Sequence, residues 1–358
     1  MKKIAFCITC MNRLHHLQQT LEKNIQDNYL TEEVEFVLLD YNSKDGLEHW
    51  VNQNIQEYID TGILVYYKTL EPEYYLRSHS RNMAFRLSNA EILCNLDADN
   101  FLGKGFAGFI LEEFSKYDKI FYTNNYSLND TYGRVCLRNH DFVSIRGYNE
   151  ALQGYGYEDN DFQNRLISYG LKPMSFHNPE FYRFVFHPDA DRISEEYMAK
   201  NVKTLYITYI NPYTSGILLL YSNHSMEQYT MVDNSQIDLH TEFSRQNEQS
   251  FDEGRRVVIN EDKLTGSWSE DIDTVCIQEN GIKYKVSKEL TTVDFKGQPF
   301  YKVEDNELRV KLFVLLNSAI NYSEARKQIK NESLINASGF GRGVVYKNFD
   351  LSKEIILS

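Results

Sequence analysis

From Ile4 to about residue 120 the chain repeats one pattern: a short apolar run of strand-forming residues, a polar cluster, then a segment of helical period. Ile4–Thr9 leads into Arg13–Leu30, where Leu14, Leu17, Leu21 and Ile25 share a helical face. Val34–Leu39 ends at Asp40, Leu64–Lys68 reads as a third strand and Leu76–Leu87 as a helix. Glu91–Leu96 is a strand that runs into Asp97-Ala-Asp99, Gly103–Tyr117 a helix and Lys119–Thr123 a strand. This alternation predicts an α/β fold with a mostly parallel sheet and helices on both faces, whose ligands gather at the carboxyl ends of the strands. Each polar cluster falls at such an end: Thr9, Asn12 and Arg13; Asp40 and Asn42; Asp97 and Asp99. One edge of the sheet is thereby selected for function.

Further on, Val135–Val143 reads as a strand or hairpin, and Gly154-Tyr-Gly-Tyr157 precedes Glu158-Asp-Asn-Asp161 at the start of a helix ending near Gly170. Phe181–His187 reads as a strand. Beyond Asn211-Pro212 the texture changes to short β-like runs: Gly216–Tyr221, Arg256–Ile259, Thr274–Ile277, Lys283–Val286 and Phe300–Val303, with a turn at Glu279-Asn-Gly281. The division expected is an α/β domain over residues 1–211 and a smaller antiparallel β-rich domain over 212–358. In its tail, Leu308–Leu316 fits strand or helix alike, and Gly339-Phe-Gly-Arg-Gly343 lacks the strand and helix context of a phosphate loop.

Composition narrows the function. With 38 basic against 51 acidic residues, a net charge of −13, the chain is a poor match for nucleic acid, whose backbone is bound by clustered Lys and Arg. The five cysteines are odd in number and scattered through apolar runs, which reads as free thiols in a reducing compartment and so a cytoplasmic protein. No apolar stretch is long enough to cross a bilayer, leaving at most peripheral membrane contact. Met1-Lys-Lys and the apolar run after it imitate a signal peptide, but Asn12-Arg13 follow without a cleavage site, so the run reads as the first strand. Oligomeric state is not set by any of these features.

The sharpest local signal is Leu96-Asp-Ala-Asp-Asn100. On a strand, residues two apart face the same way, so Asp97 and Asp99 can point at one ligand, and hard carboxylates suit a dication holding a diphosphate. The acids Glu158, Asp159 and Asp161 could merely complement a helix dipole, yet the glycines and tyrosines before them would let backbone and rings approach a flat sugar face. His187 ends an apolar run, with His177 as its competitor; His15 and His16 read as surface residues of the first helix.

Together these residues resemble the nucleotide-sugar-dependent glycosyltransferases of the Rossmann-like GT-A fold. The first half is similar to the family 2 enzymes, and the second to the β-1,4-galactosyltransferases and the polypeptide N-acetylgalactosaminyltransferases. The matching stretches, within about residues 1 to 200, are FCITCMNRLHHL, the Asp40/Asn42 strand end, SHSRNMAF, LDADN, GYNEALQGYGYEDNDFQNRLISYGL and FYRFVFH. The resemblance implies that Thr9, Asn12, Arg13, Asp40 and Asn42 line the uridine site, with Arg81 near the phosphates. It implies a metal held by Asp99 and His187, with Asp97 on ribose or metal water; mixed carboxylate and imidazole ligation favours Mn²⁺ over Mg²⁺. Asp159 matches the catalytic base, Glu158 and Asp161 would shape the donor or acceptor site, and Tyr155 with Gly156 would meet the acceptor. In the galactosyltransferases a tryptophan stands at the place of Tyr155 and a methionine ligand at that of Phe184.

The implied activity is inverting transfer of a hexose or N-acetylhexosamine from a UDP-sugar to a glycan or lipid-linked oligosaccharide. The alternatives are a sugar nucleotidyltransferase, whose glycine-rich basic phosphate loop is absent here, and a non-catalytic glycan-binding protein. Leu264-Thr-Gly-Ser-Trp-Ser-Glu270 and the following DTVCIQENGIKYKV faintly resemble lipocalin-like barrel modules.

Overall fold

The computed structural model describes residues 2–29, 33–124, 131–233, 257–259, 263–287 and 292–358. The chain forms two compact units. The first comprises residues 1–153, 158–187 and 334–358, the second 154–157 and 188–333.

In the first unit, β1 (Ile4–Cys10), α1 (Leu14–Asn28), β2 (Val34–Tyr41), α2 (Leu47–Asn54), α3 (Gln56–Asp60), β3 (Leu64–Thr69), α4 (Arg77–Arg86) and β4 (Ile92–Asn95) follow one another, the expected alternation with α2 and α3 added to it. β1 is buried along its whole length. That is why it is a continuous apolar run: both faces of a central parallel strand are covered. Ile4, Phe6 and Ile8 pack with Leu17, Leu21 and Ile25 of α1 and with α5 (Phe106–Lys116), whereas Ala5 and Cys7 share a core with Met83, Ala84 and Phe85 of α4. Helices therefore lie on both faces.

The sheet departs from expectation in being mixed. β5 (Ile120–Thr123), β6 (Cys136–Arg138) and α6 (Asn139–Ser144) follow α5, then α7 (Glu158–Ser168) and β7 (Lys172–Ser175). Strands β3-β2-β1-β4 are parallel, but β6 runs antiparallel between β4 and β5. Only the first three residues of the Val135–Val143 run that follow Val135 are strand; the rest is α6. Phe181–His187 is not a strand: Pro179–Tyr182 forms a 3₁₀ turn, and Phe184 makes an isolated antiparallel bridge to Asn100.

The second unit begins with α8 (Asp189–Ile193), α9 (Tyr197–Asn201) and β8 (Val202–Asn211). There follow β9 (Thr214–Tyr221), β10 (Ser225–Asp233), β11 (Val257–Ile259), β12 (Leu264–Glu270), β13 (Thr274–Glu279), β14 (Ile282–Ser287), β15 (Thr292–Phe295) and β16 (Gln298–Lys302), all antiparallel. The turn at Asn280-Gly281 has both residues left-handed (φ 47° and 80°), as the sequence signal requires. One face of the sheet gathers Tyr206, Leu218, Met226, Trp268, Ile277 and Phe300. The sheet curls, because Tyr284 and Phe295 of its two end strands meet at 4.7 Å. Against the other face lies α10 (Asn306–Lys330), which resolves the Leu308–Leu316 ambiguity as helix.

The expected boundary at 211/212 differs from the observed one for two reasons. β8 is extended like its neighbours but pairs with β9, so the unit boundary falls after His187. At the other end β17 (Gly343–Lys347) and β18 (Asp350–Leu357) return to the first sheet, Tyr346 opposite Lys68. The glycine-rich stretch before them serves close approach: a side chain at Gly341 would lie 2.7 Å from the α4 backbone at Asn82.

Gly154-Tyr-Gly-Tyr157 also has a structural role. Gly154 and Gly156 are left-handed (φ 77° and 103°), and added methyls would meet Asn317 at 2.8 Å and Ser318 at 2.7 Å on α10. Asn321 Nδ2 donates to the Gly156 carbonyl at 2.8 Å. Combining a left-handed backbone with that contact, Gly156→Ala should destabilise the chain by about 1–3 kcal/mol in denaturant unfolding; a change below about 0.5 kcal/mol would contradict this packing.

Candidate functional site

β1 and β2 end side by side, Cys10 opposite Asp40, and β4 ends beside β1, Asn95 opposite Cys7. The sheet thus brings the three polar clusters to one edge. Asn12 and Asn42 turn the chain away from it with left-handed backbones (φ 55° and 62°), which asparagine tolerates. The turns are bonded to each other: Asn12 N–H donates to Ser43 Oγ (3.1 Å) and Lys44 N–H to Asn12 Oδ1 (2.6 Å). Thr9 shares a 2.7 Å hydrogen bond with the Tyr75 hydroxyl, and Arg13 stands at the N-cap of α1. Asp40 is buried and accepts from Tyr66 Oη (2.6 Å) and Ser43 N–H (2.7 Å), so its carboxylate builds the turn after β2.

Asp97 and Asp99 take different partners. β4 ends at Asn95, and the chain then turns, Asn100 N–H donating to Asp97 O (3.0 Å), so strand alternation no longer applies. Asp97 Oδ1 accepts from Asn95 Nδ2 (3.0 Å) and Arg81 Nη2 (3.3 Å). Asp99 Oδ2 lies 3.0 Å from His187 Nε2. His187 reaches it because residues 183–185 run alongside 99–101: Val185 N–H donates to Asp99 O (2.7 Å) and Phe101 N–H to Arg183 O (2.9 Å). Phe184 takes part in that pairing, and the competing His177 is exposed.

Several supports of this loop escaped the sequence reading. Arg134 is fully buried and clamps both strands of the crossing, donating to Asn100 Oδ1 (3.1 Å), Phe101 O (2.9 Å) and Phe181 O. On α1, Thr20, Asn24 and Asn28 form a buried polar ladder: Thr20 Oγ1 donates to Ala98 O (2.7 Å), Asn24 bonds Asn100 O (2.8 Å) and Leu102 N–H (2.7 Å), and Asn28 bonds Gly103 O (3.0 Å) and Ala107 N–H (2.9 Å). The signal was their spacing of four. His16 is buried rather than a surface residue, its ring 5.0 Å from that of His187. Burial, with His15, His187 and Arg13 nearby, holds it down to about 3, so it is neutral.

The centre of the charge cluster is Arg81 of α4, 4% exposed. Its Nη1 donates to Asp159 Oδ1 (2.7 Å) and lies 3.6 Å from Glu158 Oε1. The guanidinium covers the Tyr148 ring at 5.3 Å, and Tyr148 stacks on Phe162 of α7 at 3.9 Å. Burial favours the neutral forms of Asp97 and Asp159, and Arg81 opposes it. For Asp97 the pull of Arg81, Asn95 and Arg77 outweighs burial and holds the carboxyl below its usual range. For Asp159 burial wins: with Glu158 and Asp97 adding to it, the carboxyl is pushed up to about 7 despite Arg81 and Arg77. A group that exchanges its proton near neutrality can act as a general base.

Asp161 and Tyr155 belong elsewhere. Asp161 is held by Arg165 through Nε (2.8 Å) and Nη2 (2.8 Å), and Arg165 ties α7 to the carbonyls of Ile145 (3.0 Å) and Gly147 (2.7 Å). Tyr155 and Gly156 lie in the second unit, where Tyr155 N–H donates to Glu196 Oε2 (3.0 Å) and its hydroxyl accepts from Arg192 (3.0 Å).

A dication fits the Asp99–His187 pair. It supplies one hard oxygen and one imidazole nitrogen, both about a tenth exposed, and such ions are commonly bound by one or two protein donors with substrate phosphates completing the shell. Among the described residues no group of three or more His, Cys, Asp or Glu side chains converges on one point.

Residues 113–199, which hold Glu158, Asp159 and His187, match the family model described as the N-terminal domain of galactosyltransferase. The match supports a glycosyltransferase. No curated protein matches the chain. Similar solved structures include residues 1–349 of S. aureus TarS, 13% identical with a TM-score of 0.43, over 50% of this chain and 59% of that one. Another is the mannosyltransferase PcManGT of Pyrobaculum calidifontis with GDP-Man and Mn²⁺, 15% identical with a TM-score of 0.43, over 49% of this chain and 55% of that one. This chain thus spans less than two thirds of either. Among the described residues no helix is long and apolar enough to cross a membrane.

Gly133 backs the cluster so closely that a methyl there would lie 2.8 Å from Asp97 Oδ2 and 2.9 Å from Arg81 Nη2. Gly133→Ala should therefore displace the ion pairs and cost about 1–3 kcal/mol of stability, read from the urea midpoint. The protonation of Asp159 gives a second test. Folded, it keeps its proton to about 7, against an ordinary 3.8. The folded state then binds more protons in that window, so its contribution to stability is full below 3.8 and is lost as pH rises through 7. Wild type should lose stability relative to Asp159→Asn from pH 4 to 8; a difference flat with pH would show that Asp159 titrates normally.

Proposed function

We propose that this chain is a metal-dependent, inverting glycosyltransferase that moves a hexose or N-acetylhexosamine from a UDP-sugar to a hydroxyl of a glycan or lipid-linked oligosaccharide. The observation that carries the reading is Asp159: a carboxyl bonded to Arg81, largely enclosed and pushed up to about 7, at the N-terminus of α7, in the same unit as the Asp99–His187 pair and within the segment matching the galactosyltransferase family model.

In this reading Thr9, Asn12, Arg13 and Asn42 line the nucleoside site, and Asp40 holds its floor through Tyr66 and Ser43. Asp99 and His187 would hold Mn²⁺, with Mg²⁺ as the alternative. When bound, the ion neutralises negative charge on the leaving diphosphate. Asp159 accepts the proton of the acceptor hydroxyl while that oxygen bonds to sugar C1. The bond from C1 to the diphosphate oxygen breaks on the opposite face, its electron pair leaving with UDP, which inverts C1. Raised by burial, Asp159 is a stronger base than a surface aspartate, and Glu158 helps keep it so.

UDP release over a panel of UDP-sugars, in Mn²⁺ and in EDTA, tests the activity; no release above background with any donor in Mn²⁺ would overturn it. Asp159→Asn should keep UDP affinity and lose about 10²–10⁴-fold in transfer, the usual worth of a general base. Near-normal turnover in that variant would remove Asp159 from the role.

A further inference from the structure

The resemblance to transferases puts Arg81 beside the donor phosphates, but its geometry gives the charge another use. A guanidinium grips a phosphate best through two nitrogens at once. Here Nη1 is bonded to Asp159 (2.7 Å) and Nη2 to Asp97 (3.3 Å), while Nε is enclosed and has no partner among the described residues. Tyr148 covers one face of the group, and the space beside Nη2 is so tight that a methyl added at Gly133 would lie 2.9 Å from it. Arg81 is thus built into the wall of the site. Resting on the reading of Asp159 as the acceptor base, we infer that Arg81 is a positioning residue that aims the Asp159 carboxylate and favours its ionised form, and is not a ligand of the donor phosphates.

The charges facing Asp159 are Arg81 and Arg77 of α4, Glu158 of its own helix, and Asp97 from the loop after β4; Tyr148 borders Arg81. Two acids and burial favour its protonated form, and two arginines favour the ionised one. Arg81 touches it directly, Nη1 donating to Oδ1 at 2.7 Å. Its loss leaves two carboxylates beside a buried third, so the proton should bind more tightly; a neighbouring arginine commonly moves a carboxyl by about 1–3 units.

The test is kcat/KM for UDP release from about pH 5.5 to 9.5 in Mn²⁺, with UDP affinity by calorimetry, for wild type, Arg81→Gln, Arg81→Lys and Glu158→Gln. Arg81→Gln should move the acid limb upward by about 1–2 pH units, losing roughly tenfold or more at pH 6.5 and recovering most of it by pH 9, with UDP affinity within about threefold of wild type. Arg81→Lys should restore much of the profile. Glu158→Gln should move the limb downward, and this arm stands even if Arg81→Gln does not fold. A tenfold or greater loss of UDP affinity with an unmoved limb would make Arg81 a phosphate ligand and overturn the inference. An equal loss at every pH would reduce it to a structural role and overturn it too. If wild type neither binds UDP nor releases it from any donor, the transferase reading falls as well, an outcome separate from the other two.

Discussion

One buried cation organises the candidate site. Arg81 draws together a helix, the loop after a central strand and the N-terminus of another helix, because three acids from two chain segments need its charge. A guanidinium taken out of water is unfavourable on its own, as is each carboxylate. The arrangement holds because Asp159, Asp97 and Glu158 outweigh the burial of Arg81, raising its affinity for its proton further. The balance is uneven across the acids. Asp97, with Asn95 as a second donor, is held ionised, while Asp159 stays near neutrality. Two chemically identical side chains therefore acquire different proton affinities within one cluster.

The Asp99–His187 pair depends on a second set of constraints. Neither residue lies in a regular strand, so backbone pairing between 99–101 and 183–185, locked by the buried Arg134, does the aligning. Behind the loop, the Thr20-Asn24-Asn28 ladder satisfies backbone groups that a turn would otherwise leave unpaired in the core. Leu17, Leu21 and Ile25 of the same helix meet the sheet. α1 thus carries two stripes, one that packs on the sheet and one that holds the loop of Asp97 and Asp99.

Much of the first unit was legible in the sequence. Apolar runs placed β1 to β5 and helical period placed α1, α4 and α5, whereas α2 and α3 were not read from the sequence. Thr9, Asn12, Asp40, Asp97 and Asp99 were expected at one edge of the sheet, and the strand ends put them there. Strand geometry was extended too far in one place: β4 stops at Asn95, so strand alternation does not govern Asp97 and Asp99, which take different partners. The glycines of Gly154-Tyr-Gly-Tyr157 illustrate another limit. A glycine reports that something comes close, and the sequence does not say whether that is a sugar or, as here, α10.

By itself the sequence determined the α/β repeat, the edge where the polar clusters gather and the residue types gathered there, since all three follow from local period and composition. Tertiary structure alone decided the pairings: that Arg81 meets Asp159, that Asp99 meets His187 across a crossing clamped by Arg134, that Asp161 is taken by Arg165, and that the last two strands join the first sheet. Each of these joins groups brought together only by folding, and a charge's partner in a low-dielectric interior is set by distance in space, which local sequence does not encode.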